Sequence, residues 1–222
     1  MPTALIVGAS RGLGRAIVEE HLKRGWDVIA TVRQAGALAG LDRAHLAEQV
    51  VDTTDWAGVD ALQTRLQGRS LDLLFVSAAI MGPSLGPIGE ADPGAFADMM
   101  LVNVLAPLRI ADRFADLVTP NGTIAVMSSG LGSIALNQSG GYEAYRTSKA
   151  ALNMGLASIA ARRGDGRTYL AVDPGWVRTD MGGANATLSI DESIPNLVTM
   201  LEHRAGKSGL GFVTYQDRDL PW

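Results

Sequence analysis

The sequence contains no cysteine among its 222 residues, and only 5% of the residues are aromatic. The absence of cysteine excludes disulfides, thiolate metal sites and a cysteine nucleophile. The three histidines, His21, His45 and His203, are far apart, so we predict no metal site and expect each of them on a solvated surface. The formal net charge of −4 provides no basic surface for a nucleic-acid partner or an anionic membrane.

Long hydrophobic runs are also missing. No apolar run approaches the ~18 residues that a transmembrane helix requires. The first residues, MPTALIVG, lack a cationic segment followed by an apolar one, which is the pattern of a signal peptide. We therefore expect a cytoplasmic protein without a membrane partner.

Short apolar runs do recur along the chain, and amphipathic helical patterns separate them. The runs span 3–8, 27–32, 71–78, 122–129, 168–175 and 211–215, with a weaker one at 49–52. The helical patterns span 12–24, 55–66, 93–117 and 143–162, with a weaker one at 191–204. This alternation predicts a single α/β domain over 1–222: a doubly wound Rossmann fold with a mostly parallel seven-stranded sheet and helices on both faces. In such sheets the ligand lies beyond the carboxyl ends of the strands.

The first apolar run ends in GASRGLG, residues 8–14, directly before a helical pattern. Gly8, Gly12 and Gly14 would let a diphosphate approach the backbone at a helix N-terminus, which predicts dinucleotide binding, although a tight structural turn has the same composition. The second run is followed by Arg33 and not by the acidic residue typical of NAD sites. Arg11 and Arg33 could bind a 2′-phosphate, which favours NADP(H) over NAD(H) unless both arginines are merely solvated.

Several further motifs follow successive strands in a fixed order. They are Asp52-Thr53, Asn103 within LVNVLAP, MSSGLGS at 127–133, YRTSK at 145–149 and PGWVRT at 174–179. With the glycine loop, they resemble the short-chain dehydrogenase/reductase family in its compact form, and the resemblance covers nearly the whole chain. More narrowly, MSSGLGSI, PGWVRTDMGG and the final LPW resemble the C-factor and sniffer carbonyl-reductase-like branch.

The resemblance implies an NADP(H)-dependent oxidoreductase that interconverts a carbonyl and an alcohol, with Ser129, Tyr145, Lys149 and Asn103 as catalytic residues. The cofactor would be bound by Gly8, Ser10, Arg11, Gly12, Leu13, Gly14, Arg33, Asp52, Thr53, Ala78, Ala79, Ile80, Asn103, Tyr145, Lys149, Pro174, Gly175, Trp176, Val177 and Thr179. A non-catalytic NADP(H) sensor on the same fold is the alternative, although it would not need the Ser–Tyr–Lys set.

Three of these assignments have a competitor nearby. Ser128 rivals Ser129, and in a strand the two would face opposite sides of the sheet. Asn103 either bonds to the backbone within its own helix or marks a bend that holds a water beside Lys149. Tyr142 rivals Tyr145, but only Tyr145 is within one turn of Lys149, whose positive charge we expect to lower the pKa of the phenol.

Three departures from the family pattern affect the expected cofactor site. Val7 replaces a threonine whose hydroxyl can fasten the glycine turn. Residues 77–80 read Ser-Ala-Ala-Ile where the family has NNAG, so the usual side-chain bonds are in doubt. The gap between Ser129 and Tyr145 is about three residues longer than usual, which predicts a bulged loop at 133–141.

The substrate side is predicted to be largely apolar. Its candidate walls are Met81, Leu131, Ile134, Tyr142, Trp176 and Met181, and they hint at a hydrophobic ketone, aldehyde or quinone. The segment 181–195 is either a mobile substrate loop or a plain flexible one. Asp173 is expected to stabilise a turn at a strand end. The long helices at 93–117 and 143–162 commonly form oligomer interfaces in the family, so we expect a homodimer or homotetramer.

Overall fold

The computed structural model describes residues 1–82 and 86–222, in which helices connect most of the seven strands. The strands are β1 (Thr3–Val7), β2 (Asp27–Val32), β3 (Leu46–Val50), β4 (Leu71–Val76), β5 (Val118–Met127), β6 (Thr168–Asp173) and β7 (Gly209–Thr214). The α-helices are α1 (Gly12–Lys23), α2 (Trp56–Arg65), α3 (Pro93–Met100), α4 (Ala106–Arg113), α5 (Glu143–Arg163) and α6 (Ile190–Arg204).

The strands form one sheet in the order β3-β2-β1-β4-β5-β6-β7, and every pairing between neighbours is parallel. In the centre of the sheet, Leu5 pairs with Ile29 on one side and with Leu74 on the other. The chain builds outward from β1 in one direction and then from β4 in the other. The strand order therefore switches between β1 and β4, and the seven-stranded Rossmann fold is confirmed.

Two hydrophobic cores lie on opposite faces of the sheet because successive strand residues point to opposite sides. Leu5 and Val7 face the core that α2, α4 and α5 cover, where Phe114 and Leu156 are fully buried. Ala4 and Ile6 face the other core, which α1 and α6 cover. Continuous apolar strands are thus buried on both faces, as the sequence predicts for a parallel sheet.

The segment 93–117 is not one regular helix. Leu101–Leu105 between α3 and α4 is a π-helix, and Ala115–Leu117 forms a 3-10 turn before β5. The segment Pro93–Arg113 is also long and apolar enough, by length and composition alone, to cross a membrane, although core helices of soluble proteins pass the same test. Charged residues such as Asp98 and Arg109 interrupt this segment, so it contains no continuous apolar run of about 18 residues.

The expectation that His21 is solvated is wrong, because its side chain is fully buried on α1. Its Nδ1 lies 2.7 Å from the carbonyl oxygen of Ile17, and its ring contacts the indole of Trp26 edge-on. Burial lowers the pKa of His21, so the neutral ring is favoured. His21 therefore serves as a core residue.

Candidate active site

The predicted site residues lie along the carboxyl edge of the sheet. Gly8 follows β1, Arg33 follows β2 and Ser77 follows β4, while Ser128 and Pro174 follow β5 and β6. Parallel strands bring all of these ends to one edge, and the switch in strand order between β1 and β4 opens a crevice there.

The glycine loop packs too closely for side chains at two of its three glycines. Gly8 has φ +86°, and a Cβ on it would lie 2.7 Å from the backbone nitrogen of Ala78. A Cβ on Gly14 would lie 2.2 Å from the carbonyl oxygen of Gly8. Gly12 (φ +55°) has open space apart from a Thr179 methyl group at 3.9 Å. The glycines thus draw the start of α1 against the β1 end and leave the backbone accessible at Gly12.

Thr31 supplies the hydroxyl that Val7 lacks. Its Oγ1 accepts a hydrogen bond from the Gly8 N–H at 3.0 Å, and its carbonyl oxygen accepts one from the Ala9 N–H at 2.8 Å. Thr31 is therefore a site residue that the sequence motifs missed, because it reaches the loop from β2.

The two arginines expected at the 2′-phosphate have different surroundings. The backbone N–H of Arg33 donates to the Ser10 hydroxyl at 3.2 Å, which brings Arg33 beside the glycine loop. The Arg11 guanidinium instead forms an exposed ion pair with Asp180 at 2.8 Å. Only Arg33 and Ser10 are thus brought together at the end of β2, while Arg11 spans the cleft toward the loop after β6.

Asp52 and Thr53 follow β3 at the same edge. The backbone N–H and hydroxyl of Thr54 both donate to Asp52 Oδ1, at 2.9 and 2.7 Å. These bonds, followed by the positive charge of Arg33, hold the pKa of Asp52 below its usual value. Asp52 is therefore an exposed anion beside a buried Thr53.

Asn103 lies in the π-helix, fully buried, and fastens the loop that follows β4. Its Oδ1 accepts from the Ile80 N–H, and its Nδ2 donates to the Ile80 carbonyl oxygen, both at 2.8 Å. Nδ2 also lies 3.1 Å from the hydroxyl of Ser148 on α5. The amide thus fixes the backbone of the loop in which the Ser77-Ala78-Ala79-Ile80 departure lies, and the π-helical turn is wider than an α-helical one.

The two adjacent serines, Ser128 and Ser129, have different surroundings and hydrogen-bond partners. Ser128 is buried, and its hydroxyl donates to Oδ1 of Asn153 at 2.6 Å, so it is held by a side chain and not by backbone. Ser129 is partly exposed, and its Oγ accepts from the Leu131 N–H at 3.1 Å, which leaves its own O–H free to donate. A Cβ on Gly132 would lie 2.9 Å from Lys149 Cβ, so this glycine lets the Ser129 turn pack against α5.

Tyr145 and Lys149 are both buried, with relative exposures of 8% and 1%. Lys149 Nζ lies 5.5 Å from the centroid of the Tyr145 ring and donates to the carbonyl oxygen of Met127 at 2.9 Å. Burial lowers the pKa of Lys149 to about 7. Burial, followed by the charge of Asp173, raises the pKa of Tyr145. The expected lowering of the phenol pKa is therefore wrong for the protein by itself, because desolvation disfavours both charged forms.

Tyr142 does not lie on the helical face of Tyr145 and Lys149, because α5 begins one residue later at Glu143. It follows Gly140 and Gly141 in the left-handed region and itself has φ +50°, which is strained for a tyrosine. Its carbonyl oxygen accepts from the Arg146 N–H at 2.8 Å. Tyr142 is thus a helix-entry residue at the end of an exposed loop over 134–142.

The loop after β6 is more ordered than a free substrate loop. Asp173 Oδ1 accepts from the Gly175 N–H at 3.2 Å, which confirms its role in the turn. Val177 and Leu188 form a parallel bridge, and Trp176 Nε1 donates to the Gly182 carbonyl oxygen at 2.8 Å. The predicted loop 181–195 extends too far, since α6 starts at Ile190 behind a capping box of Ser189 and Glu192.

Only part of the predicted substrate wall forms one cluster. Met81 and Leu131 are partly buried and pack against Met99, Ala144 and Tyr145. The other four predicted wall residues are exposed: Ile134 (78%), Tyr142, Trp176 and Met181. An apolar surface therefore adjoins the phenol.

In addition to Thr31, the sequence motifs left the roles of two further polar residues unassigned or incomplete. Ser148 is fully buried, donates to the Tyr145 carbonyl oxygen at 2.7 Å and contacts Asn103, so it links α5 to the π-helix. The sequence signal was a polar residue on the buried stripe of α5. Asp173, whose charge acts on Tyr145, was assigned only a turn. Within the described residues, no group of three or more His, Cys, Asp or Glu side chains is arranged to hold a metal.

Comparisons with known proteins agree with this geometry. The sequence model of the short chain dehydrogenases matches residues 2–188. A short-chain dehydrogenase/reductase from Burkholderia multivorans, crystallised with bound NADP, is 45% identical, with a TM-score of 0.96 over 100% of this chain and 99% of that one.

Two further similarities concern the narrower branch. The C-signal of Myxococcus xanthus is 32% identical over 73% of this chain and 99% of its own. The carbonyl reductase Sniffer of D. melanogaster is 28% identical, with a TM-score of 0.91 over 100% of both chains. The resemblance to the C-factor and sniffer branch is therefore confirmed.

Proposed function

Because the chain belongs to the short-chain dehydrogenase family, we propose that it is an NADP(H)-dependent oxidoreductase that interconverts a carbonyl compound and an alcohol. The observation that carries the proposal is the burial of Tyr145 and Lys149 side by side, next to the turn of Ser129. A buried phenol with a neighbouring hydroxyl supplies a proton donor and a hydrogen-bond donor for one carbonyl oxygen.

The carboxyl edge fits NADP(H) on its own geometry. Gly8, Gly12 and Gly14 leave the backbone accessible at the start of α1, where no side chain caps the helix. Arg33 beside Ser10 would bind the 2′-phosphate, and Asp52 the adenine amine. The loop at 78–80 and residues 174–179 would line the ribose and nicotinamide. NADP(H), which is bound in the relative from Burkholderia multivorans, supplies the hydride.

Residues of this chain would supply the proton, polarise the carbonyl and hold the cofactor. Tyr145 gives its proton to the carbonyl oxygen in reduction and takes it back in oxidation. Ser129 donates its O–H to the same oxygen. Lys149 holds the nicotinamide ribose and favours the phenolate when it is protonated. Asn103 fixes the loop at Ile80 and, through its contact with Ser148, ties that loop to α5 one residue before Lys149.

We propose a hydrophobic ketone, aldehyde or quinone as the substrate class. The apolar side chains of Met81, Met99 and Leu131 surround Tyr145. Such a wall repels charged groups and leaves the carbonyl as the polar part of the ligand that the site recognises. The similarity to Sniffer, a carbonyl reductase of similar fold, supports a carbonyl compound as the substrate.

Turnover tests the proposal. NADPH absorbance would be followed over a panel of apolar ketones, aldehydes and quinones, with Tyr145→Phe and Tyr142→Phe as matched variants. We expect Tyr145→Phe to abolish turnover while NADPH binding persists, whereas Tyr142→Phe remains an active enzyme. Activity that survives in Tyr145→Phe but disappears in Tyr142→Phe would overturn the assignment.

Cofactor choice has its own test. The ratio of NADPH to NADH affinity would be compared before and after Arg33→Ala, with Arg43→Ala as a control for the loss of one exposed arginine. We expect the preference for NADPH to fall in Arg33→Ala alone. An unchanged ratio would remove Arg33 from the phosphate site.

A non-catalytic NADP(H) sensor is the second candidate, and the similarity to the C-signal favours it. A sensor would bind NADPH tightly and turn over no carbonyl in the panel. The burial of Tyr145 and Lys149 beside the Ser129 turn argues for chemistry, because burying a lysine costs stability that a sensor gains nothing from.

We also propose a homodimer or homotetramer formed through the α4 and α5 helices. Leu105, just before α4, and Met154 on α5 are exposed large apolar residues of this region. Light scattering on the purified protein, repeated with Met154→Lys, would test it. A monomer in both proteins contradicts the proposal.

A further inference from the structure

A second cavity lies toward the end of the sheet at which the strands begin, away from the active edge. Its volume is about 160 Å³, and the surface it presents is mostly apolar. One of its lining residues, Thr123, comes five residues before Ser128 along β5, so the cavity lies about 16 Å from the Ser129 turn. Its apolar walls come from β4, α6 and the flanking loops: Trp26, Leu73, Leu201 and Ala205.

His21 lines this cavity from α1 and brings an unused hydrogen-bond acceptor to it. Its Nδ1 lies 2.7 Å from the carbonyl oxygen of Ile17, and a carbonyl only accepts, so Nδ1 carries the hydrogen. Burial lowers the pKa of His21 and favours the neutral ring, in which Nε2 then has a free lone pair. Nε2 is buried and has no hydrogen-bond partner among the described residues.

Thr123 lines the same cavity from the sheet and brings an unused hydroxyl. It pairs with Leu73 of β4 and with Thr168, the first residue of β6. Its side chain points to the face that α1 and α6 cover, because Ala125, two residues later, belongs to that core. The side chain is 2% exposed, and Oγ1 has no partner in the part of the chain that the structure describes.

Two carboxylates complete the lining, and both already have partners. Asp72 Oδ2 accepts from the Thr3 N–H at 2.8 Å, and Glu202 Oε2 accepts from the Arg24 guanidinium at 2.7 Å. Their negative charges disfavour an anion in the cavity. The occupant that fits is therefore neutral, with an apolar body and one polar group.

Buried polar atoms nearly always have a hydrogen-bond partner, so the unpaired His21 Nε2 and Thr123 Oγ1 on one cavity point to a ligand. We propose that the cavity binds a small cyclic alcohol of about the size of phenol, which donates its O–H to His21 Nε2 and accepts a hydrogen bond from the Thr123 hydroxyl. A cavity of about 150 Å³ is large enough for a benzene ring. A cluster of waters fits less well, because each water needs two to four polar partners and most of the wall is apolar.

Calorimetric titration with phenol and with toluene tests the proposal, because toluene has a methyl group in place of the hydroxyl. The parent protein would be compared with His21→Phe and Thr123→Val, which keep the approximate shapes of the side chains and remove the two polar atoms. Leu131→Asn alters the apolar wall at Tyr145 and controls for phenol binding at the active edge. Circular dichroism checks that each variant is folded.

We expect the parent to bind phenol more tightly than toluene. His21→Phe and Thr123→Val should each bind phenol about 2- to 10-fold more weakly, which corresponds to one hydrogen bond, and should bind toluene at least as well as the parent does. Leu131→Asn should leave the affinity for phenol unchanged. The proposal is overturned by a parent that binds no phenol or prefers toluene, and equally by phenol affinity that neither cavity variant lowers.

Nitrogen-15 NMR of the histidine-labelled parent gives a readout that needs no folded variant. Phenol should shift the Nε2 resonance of His21, because its lone pair accepts a hydrogen bond, whereas toluene should leave that resonance near its original position. Resonances of the exposed His45 and His203 are the internal controls. A His21 Nε2 signal that phenol does not move contradicts the proposal. None of these measurements involves turnover, so their outcome does not depend on the proposed oxidoreductase function.

Discussion

Replacing Thr31 with valine would test how the glycine turn is held. Thr31 lies in β2 with 1% of its surface exposed, and its Oγ1 accepts from the Gly8 N–H at 3.0 Å. Valine has nearly the same shape, so the core contacts and the backbone bond from Ala9 remain. The Gly8 N–H alone would lose its partner. It cannot turn away easily, because Gly8 lies against the backbone of Ala78.

An orphaned backbone donor costs about 1–3 kcal/mol. A protein of this size loses about 2–4 °C in Tm per kcal/mol, so Thr31→Val should lower Tm by roughly 2–12 °C. NADPH should also bind more weakly, because the turn that presents the α1 N-terminus would no longer be fixed. Thermal unfolding followed by circular dichroism and fluorescence titration with NADPH would measure the two effects.

Thr31→Ser is the matched control, since it keeps the hydroxyl and removes one methyl group, at a cost of about 0.8 kcal/mol. We expect it to lose stability modestly and to retain NADPH affinity. The reasoning fails if Thr31→Val is as stable as Thr31→Ser and binds NADPH equally well.

Three other perturbations have defined outcomes. Lys149→Met should be more stable than the parent protein at pH 7, and this advantage should vanish near pH 10.5. Between the lowered pKa of about 7 in the folded protein and the ordinary value of 10.5, Lys149 binds a proton in the unfolded chain but not in the folded one, so the parent gains stability as the pH rises. Urea unfolding at several pH values measures the difference. Asn103→Leu should cost about 2–5 kcal/mol in urea unfolding, since both backbone groups of Ile80 lose their partners. Removal of Pro221 and Trp222, whose carbonyl oxygens accept from the Ser133 hydroxyl and the Ala135 N–H, should raise the KM for the carbonyl more than it lowers kcat.

The sequence predicted those parts of the site that depend on position along the chain. The apolar runs located the strand ends, and so the edge at which Gly8, Ser129 and Pro174 meet. The spacing of Tyr145 and Lys149 located both side chains on one buried face of α5. These inferences succeeded because strand alternation and helical periodicity are local properties of the sequence.

The features that the sequence could not predict depend on contacts between distant residues. Thr31 fastens Gly8 across two strands, and Asn103 bonds to Ile80, 23 residues earlier in the chain. Only the assembled sheet brings these atoms together. His21 is different, because it lies four residues after Ile17 on the buried stripe of α1, so its burial could have been predicted from that spacing.

The same distinction applies to the proton chemistry. The i, i+4 spacing of Tyr145 and Lys149 suggests a cation that lowers the pKa of the phenol, but the spacing says nothing about how dry the two groups are. Burial raises the pKa of Tyr145 and lowers that of Lys149 to about 7, so it disfavours the charged form of each group. A phenol with a raised pKa holds its proton at neutral pH. The spacing therefore predicts which phenol lies beside the lysine, while the burial of the two side chains determines the direction in which their pKa values move.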